Sequence, residues 1–262
     1  MLGSITWIGF GWIGRHFMAI HRHQWSDIVT ITRSSYPSID STHFLYDTFK
    51  SNLSKLPLTD YCIITLPFSR QLTDPNDYLG MIQSIVRGID LSQYKKVIFT
   101  SSTSVYSSTN SIATESTLTS NTPRAAVLVQ AENLIKNASK QSVILRLSGI
   151  CGYDRNSQSK ILSGTINHSD TPINLIHMND ISKTIIEIFK HPLNSESLYN
   201  VTSSIQPSRR DYYSYICNQL NLVYPKFSPG VEPHKLVSNQ ALLNDLNINL
   251  YHDSPLTFTF HE

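Results

Sequence analysis

The chain has 262 residues, 40% of them hydrophobic and 15% charged, with a formal net charge of +2. This composition supports a sizeable core, in one α/β domain with an appendage or in two small domains. So weak a charge balance argues against a nucleic-acid partner, and no apolar run approaches the roughly 18 residues of a membrane span.

Apolar runs alternate with helical periodicity from the N-terminus onward. Residues 5–8 read as a strand and residues 12–23 as a helix with Ile13, Phe17 and Ile20 on one face. This stretch lacks a basic start and carries three spaced glycines before Arg15 and His16, so no signal peptide is expected. Residues 28–32 are β-branched throughout and predict a second strand. Residues 43–46 give a short third strand, and residues 61–66 a fourth, stopped by Pro67. A helix follows over 78–89 with Met81, Ile82, Ile85 and Val86 inward, then a strand over 96–100, a helix over 125–136 and a sixth strand over 143–147.

Continuous apolar strands separated by helices imply an α/β fold: a doubly wound parallel sheet of the Rossmann type. Beyond Cys151 the pattern becomes irregular, with strands near 173–176 and 198–201 and helices over 180–189, 209–220 and 240–246. Residues 156–170 are polar and read as a mobile loop. The expected organisation is a dinucleotide-binding domain over 1–150 and a small C-terminal substrate-facing region over 151–262, part of it returning to the sheet.

Gly9-Phe10-Gly11-Trp12-Ile13-Gly14 follows the first strand and opens the first helix. In that context the G-x-G-x-x-G spacing predicts dinucleotide binding. Gly9 permits the tight turn, Gly11 lets a pyrophosphate approach the backbone, and Gly14 lets the helix lie close to the sheet. The N–H groups and positive end of the helix then face the phosphates. At the end of the second strand an NAD site usually carries a carboxylate for the ribose. Here Thr32-Arg33-Ser34-Ser35 stands instead. Arg33 can fork onto a 2′-phosphate and Ser34 can donate to it, so NADP is expected over NAD, with NAD possible.

The fifth strand runs into Phe99-Thr100-Ser101-Ser102-Thr103-Ser104-Val105-Tyr106. With Thr65-Leu66-Pro67, Glu115, Arg146-Leu-Ser-Gly-Ile-Cys-Gly152, His177-Met-Asn-Asp180-Ile and Leu198-Tyr-Asn-Val201, the chain resembles the extended short-chain dehydrogenase/reductase superfamily, in its NAD-dependent epimerase/dehydratase branch. The G-x-G-W-[IL]-G turn, Ile-Thr-Leu-Pro and Phe-Thr-Ser-Ser-Thr-Ser-Val-Tyr resemble the atypical YeeZ-like subgroup. The resemblance covers nearly the whole chain. It implies cofactor contacts from the glycine turn, Leu66, Pro67 and Ser101, and makes Ser102 the counterpart of the catalytic serine. It also suggests a homodimer through the helices after strands four and five.

One departure matters for chemistry. The superfamily's acid/base is a Tyr-x-x-x-Lys pair on the helix after the serine strand, where Lys lowers the Tyr pKa. Anchoring on Ala131-Glu132 puts Arg124 at the Tyr position and Leu128 at the Lys position, and no Tyr occurs between Tyr106 and Tyr153. Ser102 can still hydrogen-bond a carbonyl or hydroxyl. Tyr153 and Arg124 are the candidates to complete the site, one as a proton carrier and the other to polarise a carbonyl or hold a carboxylate. Two readings follow. One is an NADP-dependent oxidoreductase or epimerase of a small polar or nucleotide-linked substrate. The other is a non-catalytic NADP-binding sensor or interaction protein.

Among the remaining residues, the histidines show no metal-ligand spacing, so no metal is expected. His177 and Asp180 suit a structural role at a helix start. Ser208 with Asp211 resembles a capping box, and Arg209 and Arg210 read as solvated or as contacts to an anionic substrate. Cys62, Cys151 and Cys217 form no C-x-x-C pair, which fits a reducing, cytoplasmic compartment.

Overall fold

In the computed structural model, residues 1–32, 42–45, 53, 56–68, 74–191 and 197–260 are described. In chain order the first half comprises β1 (Gly3–Ile8), α1 (Trp12–His21), β2 (Trp25–Thr32), β3 (Thr42–Leu45), β4 (Tyr61–Ile64), α2 (Pro75–Gly88), β5 (Lys96–Ser102), β6 (Ser111–Ala113), α3 (Pro123–Ala138) and β7 (Ser142–Leu147). The second half comprises β8 (Gly149–Cys151), α4 (Gln158–Leu162), β9 (Thr165–Ile166), β10 (Leu175–His177), α5 (Met178–Lys190), β11 (Ser197–Val201), α6 (Arg209–Leu220), β12 (Lys226–Phe227), β13 (Lys235–Val237) and α7 (Gln240–Leu246).

The chain divides into two units, each discontinuous in sequence. The first takes residues 1–105, 119–146 and 188–198; the second takes 106–118, 147–187 and 199–262. A single cut at residue 150 therefore does not describe the chain, because 106–118 joins the second unit and 188–198 the first.

The first unit holds six strands in the order β7-β5-β4-β1-β2-β3. β1 pairs parallel with β2 and β4, β2 with β3 and β4 with β5. The chain winds outward from β1 through β2 to β3, then returns to the other side of β1 through β4. This is the doubly wound sheet expected from the strand pattern. The reversal between β1 and β4 is the place where open α/β sheets form a crevice at the carboxyl ends of their strands. Ile5, Trp7 and Ile8 of β1, Ile63 and Ile64 of β4 and Ile98 of β5 are buried, as parallel strands covered on both faces require.

The helices follow their local signals. α2 begins on Asp74, whose side chain accepts from Asn76 N–H, with Pro75 in the first turn. α3 begins on Thr122, which accepts from Ala125 N–H, with Pro123 following. The inward stripe of α1 differs from expectation. Gly14, Phe17 and Met18 are buried, while Ile20 is 42% exposed. Gly14 must face the sheet, and the positions three and four residues on share its face.

The second unit is built from three short parallel pairs, β8 with β10, β9 with β12 and β6 with β13. Its core gathers Cys151, Ile161, Ile166, Tyr212, Ile216 and Phe258. The stretch expected to be a mobile loop over 156–170 instead contains α4 and β9. Ile161 and Ile166 are both buried and fix it to that core. α6 starts on its Ser208 cap, which accepts from Asp211 N–H, as the sequence predicts.

Candidate functional site

The carboxyl ends of β1 and β4 meet in the glycine turn. Gly9 has φ +79° and its N–H donates to Ile31 O at 2.9 Å, as does that of Phe10 at 3.0 Å. Thr65 locks the turn from the β4 side. Its N–H donates to Ile8 O at 2.9 Å, its hydroxyl donates to Gly9 O at 2.9 Å, and it accepts from Trp7 Nε1 at 2.8 Å. The sequence motif marks Leu66 and Pro67 but not this side-chain role of Thr65.

The three glycines are not equivalent. A Cβ on Gly9 would lie 2.8 Å from Thr65 O and 2.9 Å from Leu66 Cδ2. A Cβ on Gly14 would lie 2.7 Å from the Phe10 ring and 3.0 Å from Trp7 Nε1. Packing within the protein accounts for both. A Cβ on Gly11 would meet nothing nearer than Gly9 O at 3.7 Å, an ordinary contact. The protein leaves space beside Gly11 that it does not use itself. Phe10 is 2% exposed and packs edge-on against Trp7, so only its backbone faces the turn. Trp12 and Ile13 are half-buried in the first turn of α1.

α1 also differs from α2, α3 and α6 at its start. Those helices carry side-chain caps, whereas α1 begins on Gly11 with no side-chain cap and no acidic residue in its first turn. A helix start leaves backbone N–H donors without intrahelical partners and carries partial positive charge. With the open flank of Gly11, this geometry fits a pyrophosphate. Arg33 and Ser34, expected to contact a 2′-phosphate, lie outside the described residues.

At the end of β5, Ser101 and Ser102 part company. Ser101 is buried and its hydroxyl donates to Glu132 Oε1 at 2.5 Å. Glu132 is held by Arg146 through Nε at 3.0 Å and Nη2 at 2.7 Å. The Ser101 side chain therefore belongs to a buried ion-pair network, and only its backbone remains for a cofactor. Ser102 is half-buried and its Oγ accepts from Ser104 N–H at 3.1 Å. Its own proton has no acceptor among the described residues, so it can donate to a ligand.

The helix to which the sequence resemblance assigns Tyr-x-x-x-Lys carries Arg124 and Leu128. Arg124 stands over the Phe68 ring at 4.1 Å and donates to Phe68 O at 3.1 Å. Leu128 is 1% exposed, inside the core. Both belong to the first unit, with Ser102 and the glycine turn. Tyr153 belongs to the second unit. It has φ +51°, and its hydroxyl donates to Asn179 Oδ1 at 2.7 Å. Burial pushes its pKa up, so the phenol holds its proton and is not a base.

The family-like segments of the second unit are structural. Asp180 accepts from the N–H groups of Tyr251 and His252. Tyr106 donates to Asn200 Oδ1 at 2.8 Å, and Glu115 accepts from Asn200 N–H at 2.7 Å. The second unit also encloses a pocket of about 570 Å³, whose wall includes Lys160, Asn174, Arg209, Tyr213, Glu232 and Lys235. Arg209 is paired with Glu232 there. Nothing in the spacing of Lys235 along the sequence signals a half-buried ammonium. Among the described residues there is no cluster of His, Cys, Asp and Glu that can hold a metal, and no helix long and apolar enough to cross a membrane.

No protein-family model matches the chain. Protein YeeZ of Escherichia coli strain K12 is 25% identical over 270 residues, covering 97% of each chain. Among solved structures, the fold is similar to UDP-glucuronic acid 4-epimerase from Bacillus cereus in complex with NAD, with a TM-score of 0.81 and 16% identity over 97% of this chain and 95% of that one. It is also similar to MoeE5 in complex with UDP-glucuronic acid and NAD, with a TM-score of 0.78 and 15% identity over 98% and 97% of the two chains.

Proposed function

We propose that this chain, YeeZ-like along its whole length and folded as an extended short-chain dehydrogenase/reductase, is an NADP-dependent oxidoreductase or epimerase acting on a small polar or nucleotide-linked substrate. The observation that carries the reading is Gly11. Its missing Cβ serves no packing purpose within the protein, and it stands at an uncapped helix start at the switch point of the sheet. The similar folds crystallised with NAD support the same class of cofactor.

In this reading the turn from Gly9 to Gly14 holds the pyrophosphate through backbone N–H groups, with Leu66 and Pro67 beside it. Arg33 and Ser34 hold the 2′-phosphate. A bound nicotinamide supplies a hydride acceptor or donor. Ser102 donates its hydroxyl proton to the substrate oxygen and orients it. Arg124, already fixed by Phe68, polarises a carbonyl or holds a carboxylate. Tyr153, in the second unit, keeps its proton at neutral pH and donates it to Asn179 Oδ1 in a hydrogen bond, so it does not supply a base.

Leu128 favours a second reading, a cofactor-binding sensor or interaction protein without turnover. The position that would carry the catalytic lysine is sealed in the core. Two measurements separate the alternatives. The first is titration of the protein with NADPH and with NADH, followed by nicotinamide fluorescence. Tighter NADPH binding is expected; tighter NADH binding removes the NADP assignment, and no binding of either removes the reading. The second is loss of reduced-nicotinamide absorbance with hydroxylated ketones, which the enzyme supports and the sensor does not.

A further inference from the structure

The pocket of the second unit contains three cations in different states. Lys160 is exposed at the rim. Arg209 is neutralised by Glu232 and also donates to Asn167 O at 3.3 Å. Lys235 is half-buried, donates one N–H to Tyr106 O at 2.6 Å, and has no carboxylate in ion-pair distance among the described residues. Burial pushes its pKa down and no acidic neighbour opposes the shift.

A half-buried ammonium with a hydrogen bond but no counter-charge costs stability. Bracing the Tyr106 carbonyl does not account for it. The segments are already joined by the β6–β13 pairing, which sets Leu236 beside Ile112, and by Asn110 N–H to His234 O at 2.7 Å. An ammonium has three donors, and two remain after Tyr106. The same pocket wall carries the neutral polar groups of Ser108, Asn167, Thr171 and Tyr213, together with His168 and His234.

We propose that this pocket binds a hydroxylated carboxylate and that Lys235 is the residue that selects it. The two remaining N–H groups of Lys235 meet the carboxylate oxygens, and the neutral amide and hydroxyl groups of the wall meet the hydroxyls. Arg209 is already paired and Lys160 is exposed to solvent, so among the described residues Lys235 is the one half-buried cation of the pocket left uncompensated, and a single negative charge balances it, which matches a carboxylate better than a phosphate dianion. Regarding this ligand as the substrate of the reaction rests on the function proposed above; the binding of the carboxylate does not.

The test is a titration of the full chain with D-glucuronate, its neutral analogue D-glucuronamide and inorganic phosphate, read by amide chemical-shift changes. The wild type should prefer glucuronate over both by at least about tenfold, and Lys235→Met should erase the preference, as expected for losing one partner of a partly buried charge pair. A purely structural lysine would weaken all probes together. Amide chemical-shift dispersion of Lys235→Met in the absence of ligand checks that the variant is folded, and Lys235→Gln replaces it if it is not. Equal binding of glucuronate and glucuronamide, tighter binding of phosphate, no binding of glucuronate, or a preference that survives both substitutions overturns the proposal. Glucuronate selectivity in a protein that binds neither NADPH nor NADH sustains this site and removes the cofactor reading. NADPH binding without that selectivity does the reverse.

Discussion

Arg124 lays its guanidinium 4.1 Å from the centre of the Phe68 ring and donates to the carbonyl of the same residue at 3.1 Å. Two contacts to one residue tie the start of α3 to the segment that leaves β4, next to Leu66 and Pro67. The position to which the sequence resemblance assigns a tyrosine is thus filled by a residue with its own structural partner. Arg124→Ala should lower stability by about 1–2 kcal/mol, from a partly exposed cation–π contact and one charge-assisted hydrogen bond. It should also weaken NADPH binding, because the β4 end is released. Urea denaturation and fluorescence titration of one variant read both effects. Unchanged cofactor affinity would show that the segment after β4 does not contact it.

Restoring Tyr-x-x-x-Lys by substitution should fail for a reason visible in the core. Leu128 is 1% exposed, so Leu128→Lys places an ammonium inside the core, one helical turn before a Glu132 carboxylate that Arg146 already holds. The expected cost is at least about 3 kcal/mol, with the lysine pKa depressed, as for other buried unpaired charges. The double variant Arg124→Tyr/Leu128→Lys should unfold at clearly lower urea than Arg124→Tyr alone. Equal midpoints would mean that the α3 face opens to solvent.

The glycine turn separates packing from binding. Gly14→Ala forces a Cβ to within 2.7 Å of the Phe10 ring and should destabilise by about 1–3 kcal/mol through overpacking. Gly11→Ala meets no protein atom closer than 3.7 Å, so its cost should stay near the ~0.5–1 kcal/mol of exchanging a helix N-cap glycine for alanine. Under the proposed function the same substitution should remove NADPH binding, since the methyl group enters the space assigned to the pyrophosphate. Thermal unfolding and NADPH titration of the two variants give the comparison. Full cofactor affinity in Gly11→Ala would remove the pyrophosphate from this turn.

These contrasts show which features the sequence discloses. The turn is legible because only glycine satisfies φ +79° at Gly9 and the close contact at Gly14, and both are sequence-local demands. The bounds of α6 are legible because Ser208 caps it. α4 and β9 are not, because Ile161, Leu162 and Ile166 are too sparse in a polar stretch to set a period and the partners of Ile161 and Ile166, including β12, lie far along the chain. Ile20 misleads because apolar spacing alone ignores the face that Gly14 imposes on α1. The different fates of Ser101 and Ser102 depend on Glu132, and the state of Lys235 depends on Tyr106. Such long-range pairings leave no periodic trace.

The Ser101–Glu132–Arg146 network predicts a large effect from a small change. Arg146 is 5% exposed and Glu132 2% exposed, so Glu132→Gln takes the Glu132 carboxylate away from a buried guanidinium. A loss of about 3–5 kcal/mol is expected. Replacing both, Glu132→Gln with Arg146→Met, should cost less than the single change, because the stranded charge is gone. Denaturant midpoints that fall additively would argue against the coupling.

His177 should make stability depend on pH. It is 1% exposed; its Nδ1 accepts from Asn179 N–H at 3.2 Å, and its Nε2 therefore carries the proton that faces Thr259 O at 3.0 Å. Burial is the main cause that brings its pKa from 6.5 to about 4; the Thr259 carbonyl opposes the shift and His252 adds to it. The unfolded chain takes up a proton below pH 6.5 that the folded chain refuses until about pH 4. Stability contributed by this group is therefore complete above pH 6.5 and falls as pH drops through that window. Between pH 7.5 and pH 5 the loss should be about 2 kcal/mol. Asp180, whose pKa is raised by burial, works in the opposite direction and is present in both proteins compared. Urea unfolding of wild type and His177→Gln at the two pH values should give a smaller pH effect in the variant. Parallel pH dependence in the two would place the acid sensitivity elsewhere.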